Sequence, residues 1–401
     1  MGISFDEYGI KGKINKDITP ENTAKLGCSV TKVLGNKIAL STDSIASSEM
    51  VKSALVAGIL SGGGSPLDFG QQPISITRSG IKFYNLNGGF HISDGGKRIY
   101  ILGGNGISPE MGELYKIMEI CSMGELPRVS GDNIREMVSL SSYKLYYVRD
   151  LINSCVHDKL DFNILLCIQN PSVKAVMVSL LKEMDCKYTI YKCHGKKPDE
   201  KFSQVIKKEG YHLGAVIGED LTLYDSRGRI ISPEIFECIC AMVVLRREGT
   251  YIASPEAPSA IEKIAAASKG KVIRTKSARN IIMSKVSQMN KDGLSVQFVL
   301  EFDPMGSIVK ILDYIKSEKT SLEKLVDKVP AFFILKEDFD IGEERKRNIL
   351  ERFEKSDILN YKNSRAVVSE HGKYIRLTCE GANAEMAQEL MVKYSKLLND
   401  I

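Results

Sequence analysis

The sequence has no long hydrophobic run, no paired cysteine motif and no surplus of one charge, and each absence removes a class of function. The longest apolar stretch, near Ile235 to Leu245, has Glu237 inside it and is too short to cross a bilayer, so it reads as a buried helix. Near the start, Asp6, Glu7 and Lys11 interrupt any apolar run, and no signal peptide is expected there. The net charge is only +5 over 401 residues, with lysines interspersed among glutamates, so neither a nucleic-acid stripe nor a membrane-binding surface is expected. The short KGKINK, HGKK and ERKR runs read as solvated faces. The nine cysteines are scattered, which points to reduced thiols in a cytoplasmic protein. Cys186, Cys193, His194, Cys238 and Cys240 do not offer the CxxC-type spacing of a structural zinc site.

What is present is an ordinary globular composition, 43% apolar and 26% charged, in a chain too long for one core. Thr19 followed by Pro20 and Glu21 begins a helix, since Thr can cap and Pro fits the first helical position. A strand is expected over Lys37 to Ser41, then a helix entered at Ser47-Ser48-Glu49 that stops at Gly62-Gly63-Gly64. The strand, helix, strand rhythm returns at Phe162 to Tyr191 and again at Gly249 to Thr275. Such alternation implies α/β units with mixed, mainly parallel sheets between helices. Lys336 to Glu344 reads as a charged linker. Beyond it, a helix to about Phe353, short strands through Ile375 to Thr378 and a helix from Asn383 to Leu398 suggest a small α+β domain. The expected domains are 1–134, 135–247, 248–338 and 339–401.

Five stretches in order carry a family resemblance: FDEYGIKGKIN (Phe5 to Asn15), STDSIASSEMVKSALVAGILSGG (Ser41 to Gly63), LTLYDSRGRIISPE (Leu221 to Glu234), KGKVIRTKSARNIIMSKV (Lys269 to Val286) and KYIRLTCEGANAEMAQEL (Lys373 to Leu390). Together they resemble the α-D-phosphohexomutases: phosphoglucomutase, phosphomannomutase and phosphoglucosamine mutase. That resemblance implies three α/β/α domains, a small C-terminal α+β domain, and phosphoryl transfer between a phosphoserine and a sugar phosphate. The chemistry requires an activated nucleophile, a metal and groups that position the substrate.

Measured against the family's loops, each of these parts is altered. The nucleophile loop falls on HISDGGKR (His91 to Arg98), with Gly95 in the serine's place and Ser93 displaced along it. The metal loop shrinks to Gly218-Glu219-Asp220, expected to be a turn. The sugar loop falls on DGLSVQFVLEF (Asp292 to Phe302), where Val296-Gln297-Phe298 reads as strand. In the phosphate loop, VVSEHGK, Val367 replaces arginine and Glu370 adds an acid, while Ile45 replaces the first-domain arginine.

The leading expectation is therefore a non-catalytic phosphohexomutase-like protein, a ligand sensor, regulator or partner subunit without a cofactor. Lys97, Arg98, Arg274, Lys276 and Arg279 are its candidate ligands for a sugar phosphate or another phosphorylated molecule. Two alternatives stand beside it. One is a divergent active mutase using Ser93, with Glu219 and Asp220 on Mg²⁺. The other is a protein-interaction partner with an empty cleft.

Overall fold

In the computed structural model, Thr19 caps the first helix by accepting from Asn22 N at 3.3 Å. The structure describes residues 4–6, 9–123, 125–193, 200–218, 220–275, 279–289, 295–355, 364–371 and 374–400. Seven strands form the first sheet: β1 (Ser4–Asp6), β2 (Gly9–Lys11), β3 (Lys37–Thr42), β4 (Ser65–Gln71), β5 (Gly88–Ser93), β6 (Arg98–Gly103) and β7 (Val138–Ser139). Their order is β1-β2-β6-β5-β3-β4-β7, parallel from β5 to β7 and antiparallel along the β1, β2, β6 edge. The helices are α1 (Pro20–Leu34), α2 (Ala46–Ser61), α3 (Ile74–Phe83), α4 (Met111–Ser122) and α5 (Tyr143–Asn153). The backbones of α1 and α2 nearly touch at Gly58, where an added Cβ would lie 2.0 Å from the Ala24 carbonyl oxygen. Only glycine permits that approach.

The second sheet, in the order β11-β10-β8-β9, holds β8 (Asn163–Ile168), β9 (Lys187–Ile190), β10 (Leu213–Ile217) and β11 (Leu221–Asp225). It is parallel except for the β10–β11 hairpin, and α6 (Pro171–Glu183) and α7 (Glu200–Glu209) connect its strands. The apolar stretch singled out in the sequence is α8 (Pro233–Glu248), started by Ser232 and stopped by left-handed Gly249. The third sheet is a parallel pair, β12 (Thr250–Ala253) and β13 (Lys271–Arg274), joined through α9 (Ala260–Ala267). Then come α10 (Arg279–Gln288), α11 (Val296–Phe302), α12 (Pro304–Ser317) and α13 (Leu322–Lys328). The last sheet is antiparallel, with β14 (Phe333–Asp340), β15 (Arg365–His371) and β16 (Tyr374–Gly381) in the order β14-β16-β15, accompanied by α14 (Glu343–Lys355) and α15 (Ala384–Asp400). The α/β class and the small C-terminal α+β unit follow the sequence reading.

Three local expectations need correction. Val296 to Phe298 is helical, because Ser295 caps α11 by accepting from Phe298 N at 3.1 Å and Phe298 packs on Phe302 four residues later. The supposed linker is strand β14. Its apolar Leu335 and Phe339 meet the C-terminal core, while the charges between them populate an edge strand and mask its pattern. Cys167 and Cys193 are joined as a disulfide, against the reduced state expected for all nine cysteines; the other seven are free. Two residues 26 apart in sequence meet because β8 and β9 are neighbouring strands.

One apolar core runs through the first three sheets, from Phe69 and Ile76 through Leu166 and Leu213 to Ile261 and Ile308. At its centre α12 is buried on every side from Met305 to Ile315, each large apolar side chain contributing roughly 1.5–3 kcal/mol. The two charged residues of that buried stretch are both satisfied. Lys310 Nζ donates to Ser154 O and Oγ at 2.6 Å, and Asp313 accepts from Arg247 at 2.6 Å and from Val156 N at 3.0 Å. The C-terminal unit has a separate core around Ile349, Ile375, Leu377 and Tyr394. No helix among the described residues is long and apolar enough to cross a membrane.

Candidate functional site

Strand β5 ends in a 3-10 turn, Asp94–Gly96, held against the start of α2. Asp43, buried after β3, accepts from Gly95 N at 3.0 Å and from Ile45 N at 3.1 Å. Ser47 Oγ donates to Gly95 O at 2.7 Å, so the peptide groups on both sides of Gly95 are fixed. Gly95 has φ +64°, and a Cβ there would lie 3.1 Å from Ser47 Oγ and 3.3 Å from Ile45 Cγ2. The hydroxyl of Ser93 is enclosed and has no hydrogen-bond partner. Nearby His91 is not its base. Ser41 receives a hydrogen bond from Thr77 at 2.6 Å and itself lies 2.8 Å from His91 Nδ1, while burial and then Arg78 push His91 down to about 3. Lys97 is exposed beside the turn, and the Arg98 guanidinium lies 5.0 Å above the Tyr100 ring.

The metal-loop position is the tip of the β10–β11 hairpin, where Ile217 pairs with Leu221 and Gly218 N donates to Asp220 O at 3.1 Å. Asp220 is its only described carboxylate, since Glu219 lies outside the described residues. Asp225, at the far end of β11, is bound by Arg229 at 2.6 Å and by the backbone of residues 227 and 229. Among the described residues no three His, Cys, Asp or Glu side chains form a metal-sized group. One turn carboxylate does not make the convergent oxygen set that Mg²⁺ takes, so the described residues do not fit that ion.

Of the cationic candidates, Arg274 is committed to the protein. Its guanidinium donates to Ser254 O at 2.7 Å, to Ala257 O at 2.9 Å and to both carboxylate oxygens of Glu262. Lys276 lies outside the described residues, as does the side chain of Arg279, which opens α10. Lys97 precedes β6 and Arg98 opens it in the first sheet, whereas Arg274 ends β13 in the third.

Sequence reasoning missed a set of polar contacts between the third and fourth sheets. The 254–259 loop follows β12, and its Glu256 accepts from the Ser369 hydroxyl and from His371 Nε2 at 2.6 Å, with Arg376 at 4.0 Å. In return, Glu380 on β16 accepts from Ser259 N at 3.0 Å and from Ser259 Oγ at 2.6 Å. Arg365 joins the two, donating to Glu380 at 2.6 Å and to Pro255 O at 3.0 Å; burial, and then Arg274, pull its pKa down. The proline-bracketed acid of SPEAPS was the available signal, an unusual acid just past a strand's carboxyl end. Glu370 pairs with Lys346 at 2.5 Å, and Val367 is buried.

The comparisons with known proteins agree with this architecture. The family profile for phosphoglucomutase/phosphomannomutase, alpha/beta/alpha domain I, matches residues 2–94. This is a phosphohexomutase-like chain. It is 22% identical over its whole length to a probable phosphoglucosamine mutase of Pyrococcus furiosus, covering 98% of that protein. A phosphoglucomutase/phosphomannomutase family protein of Burkholderia thailandensis shares the fold with a TM-score of 0.82 at 13% identity, covering 99% of this chain and 97% of its own. An N-acetylphosphoglucosamine mutase of Aspergillus fumigatus, solved with glucose 1,6-bisphosphate, aligns with a TM-score of 0.51 at 9% identity over 99% of this chain and 95% of that one. The phosphohexomutase-like chain thus keeps the frame, while the turn at Gly95 and the hairpin at Gly218 are built as backbone turns.

Proposed function

We propose that this protein is a non-catalytic phosphohexomutase-like binding protein, a sensor or regulator that takes a sugar phosphate or related anion without turning it over. The observation that carries the reading is the Gly95 turn. Its peptide groups are held by Asp43 and by Ser47, whose hydroxyl is spent on Gly95 O; Gly95 carries no side chain, and the Ser93 hydroxyl is enclosed without a hydrogen-bond partner. A phosphoenzyme route needs an accessible, activated oxygen, and neither residue offers one. The Asp220 turn adds support, because phosphoryl transfer depends on a cation to neutralise developing charge.

The same reading takes the chain as four domains near 1–134, 135–247, 248–338 and 339–401. The four separate sheets support it, with β7 carrying the first sheet past residue 134 and β14 drawing the last boundary back toward Phe333. Lys97 and Arg98, beside the Gly95 turn, are its first candidates for contact with a phosphate, and Arg279 follows. A cytoplasmic setting belongs to the proposal; the seven free cysteines favour it and the Cys167–Cys193 disulfide counts against it.

The test is a mutase assay with glucose, mannose and glucosamine phosphates in the presence of a bisphosphate activator, alongside intact-mass measurement. The expected result is no turnover. Turnover together with a phosphoryl adduct, both abolished by Ser93→Ala, would overturn the proposal; an adduct without turnover would leave it standing.

A further inference from the structure

Six of the seven free cysteines are buried, and the seventh, Cys155, has its thiol pushed up to about 11 by burial. The remaining pair stands apart. Cys167 lies on β8 in an apolar cluster with Leu165, Phe202 and Tyr224, and is 1% exposed. Cys193 follows β9, is half-buried, and bonds to Cys167 across a Cα separation of 6.2 Å. Cys193 is thus the accessible half of the disulfide. It lines a cavity of about 770 Å³ at the carboxyl ends of β8 and β9, together with Gln169, Lys174, Tyr191 and Lys192. Both lysines are exposed and no described acidic side chain lines the cavity, so its mouth is positive. Tyr191 is held independently of the sulfur bond. Its N–H donates to Leu166 O at 2.7 Å and its ring meets Phe202 edge-on at 5.2 Å. Opening the disulfide therefore leaves that wall of the cavity in place.

We propose that this cavity is a thiol–disulfide exchange site for a small anionic thiol, with Cys193 as the sulfur attacked and Cys167 as its buried partner. The incoming thiolate bonds to Cys193 Sγ, the Cys167–Cys193 bond breaks, and its electron pair leaves on Cys167, which takes up a proton. A second thiol attacks the outer sulfur of the mixed disulfide, releasing a small-molecule disulfide and the Cys193 thiol. Two small thiols are oxidised and one protein disulfide is reduced, so the exchange balances, and it runs in reverse with the small disulfide as oxidant. A pair that cycles in this way reconciles one bond with seven free cysteines in the same chain, since disulfides in reducing compartments are mostly transient. Lys174 and Lys192 favour a thiol that carries extra carboxylates, such as glutathione, over a neutral one. The oxidation state then sets whether the chain leaving β9 is tied to β8. None of this depends on the non-catalytic reading.

The experiment incubates the full chain in glutathione buffers, from fully oxidised to about 100:1 reduced to oxidised, quenches with N-ethylmaleimide in denaturant and counts adducts by intact mass. The count should move from seven to nine across that range. In Cys167→Ser, oxidised glutathione should leave one stable mixed disulfide, located at Cys193 by peptide mapping. Cys193→Ser should take up none, because Cys167 is enclosed. Reduction rates with glutathione and with 2-mercaptoethanol are then compared as a ratio, which cancels the thiolate common to both. Lys174→Glu combined with Lys192→Glu should lower that ratio at least about threefold at low salt. Both lysines are exposed, so this variant decides the question if Cys167→Ser fails to fold. A count fixed at seven or at nine throughout would overturn the proposal. So would a mixed disulfide at any cysteine other than Cys193, or a rate ratio that the lysine variant leaves unchanged.

Discussion

Restoring a hydroxyl at the turn, as Gly95→Ser, tests whether one missing residue or the whole site separates this chain from catalysis. Gly95 has φ +64°, and an L-residue in the left-handed region costs roughly 1–2 kcal/mol. The new Cβ would lie 3.1 Å from Ser47 Oγ and 3.3 Å from Ile45 Cγ2, tight contacts that small side-chain shifts can relieve. The variant should therefore fold with its melting temperature lowered by about 2–8 °C, taking about 2–4 °C per kcal/mol for a unit of this size. It should still show no mutase turnover. The hairpin tip at Gly218 supplies one described carboxylate, and losing a single transition-state contact often costs a factor of roughly 10²–10³. A coupled assay with glucose 1-phosphate and glucose 1,6-bisphosphate, run beside intact-mass spectrometry, reads both outcomes. Measurable turnover in Gly95→Ser would refute the reasoning, because it would mean that the remaining site is competent and only the nucleophile was missing.

Three further outcomes follow from the same contacts. Calorimetry should detect no tight Mg²⁺ binding that depends on Glu219 and Asp220; tight binding lost in Glu219→Ala and Asp220→Ala would contradict the hairpin reading. Asp313→Ala should destabilise the core by about 3–5 kcal/mol in urea unfolding, because it strips the buried partner from Arg247, His157 and the Val156 amide. A loss under about 1 kcal/mol would contradict that estimate. Glu237 on α8 is raised to about 8 by burial and then by Glu301, so between about pH 4.5 and 8 the unfolded chain binds fewer protons there than the native one. Stability must fall across that window as pH rises, and Glu237→Gln should flatten the decline in pH-dependent melting curves.

The difference between what was legible in the sequence and what was not has a physical cause. Local signals such as Thr19 before Pro20 act within one turn of backbone, so they are readable without a fold. The α/β rhythm is likewise written in the periods of β3, α2, β8, α6 and β9. Where the signal was weak, neighbours decided. Val296 to Phe298 has the composition of a strand, and it became helix because Ser295 caps it and Gln297 bonds both Ile252 N and Ile252 O on β12. Charged β14 became a strand because β16 pairs with all of Phe333 to Asp340.

The sequence by itself determined the class of fold, the absence of a serine at the Gly95 position and the brevity of the Gly218 turn, since each depends only on which residues are present and in what order. Only the tertiary structure decided that Ser93 is enclosed, that Arg274 is committed to the 254–259 loop and that Glu256 lies among Ser369, His371 and Arg376. These facts join residues as much as 120 positions apart, such as Glu256 to Arg376, and chain spacing does not encode which of many distant charges will meet. Burial makes such meetings matter. In water a carboxylate is satisfied anywhere, but inside the protein it settles only where donors converge.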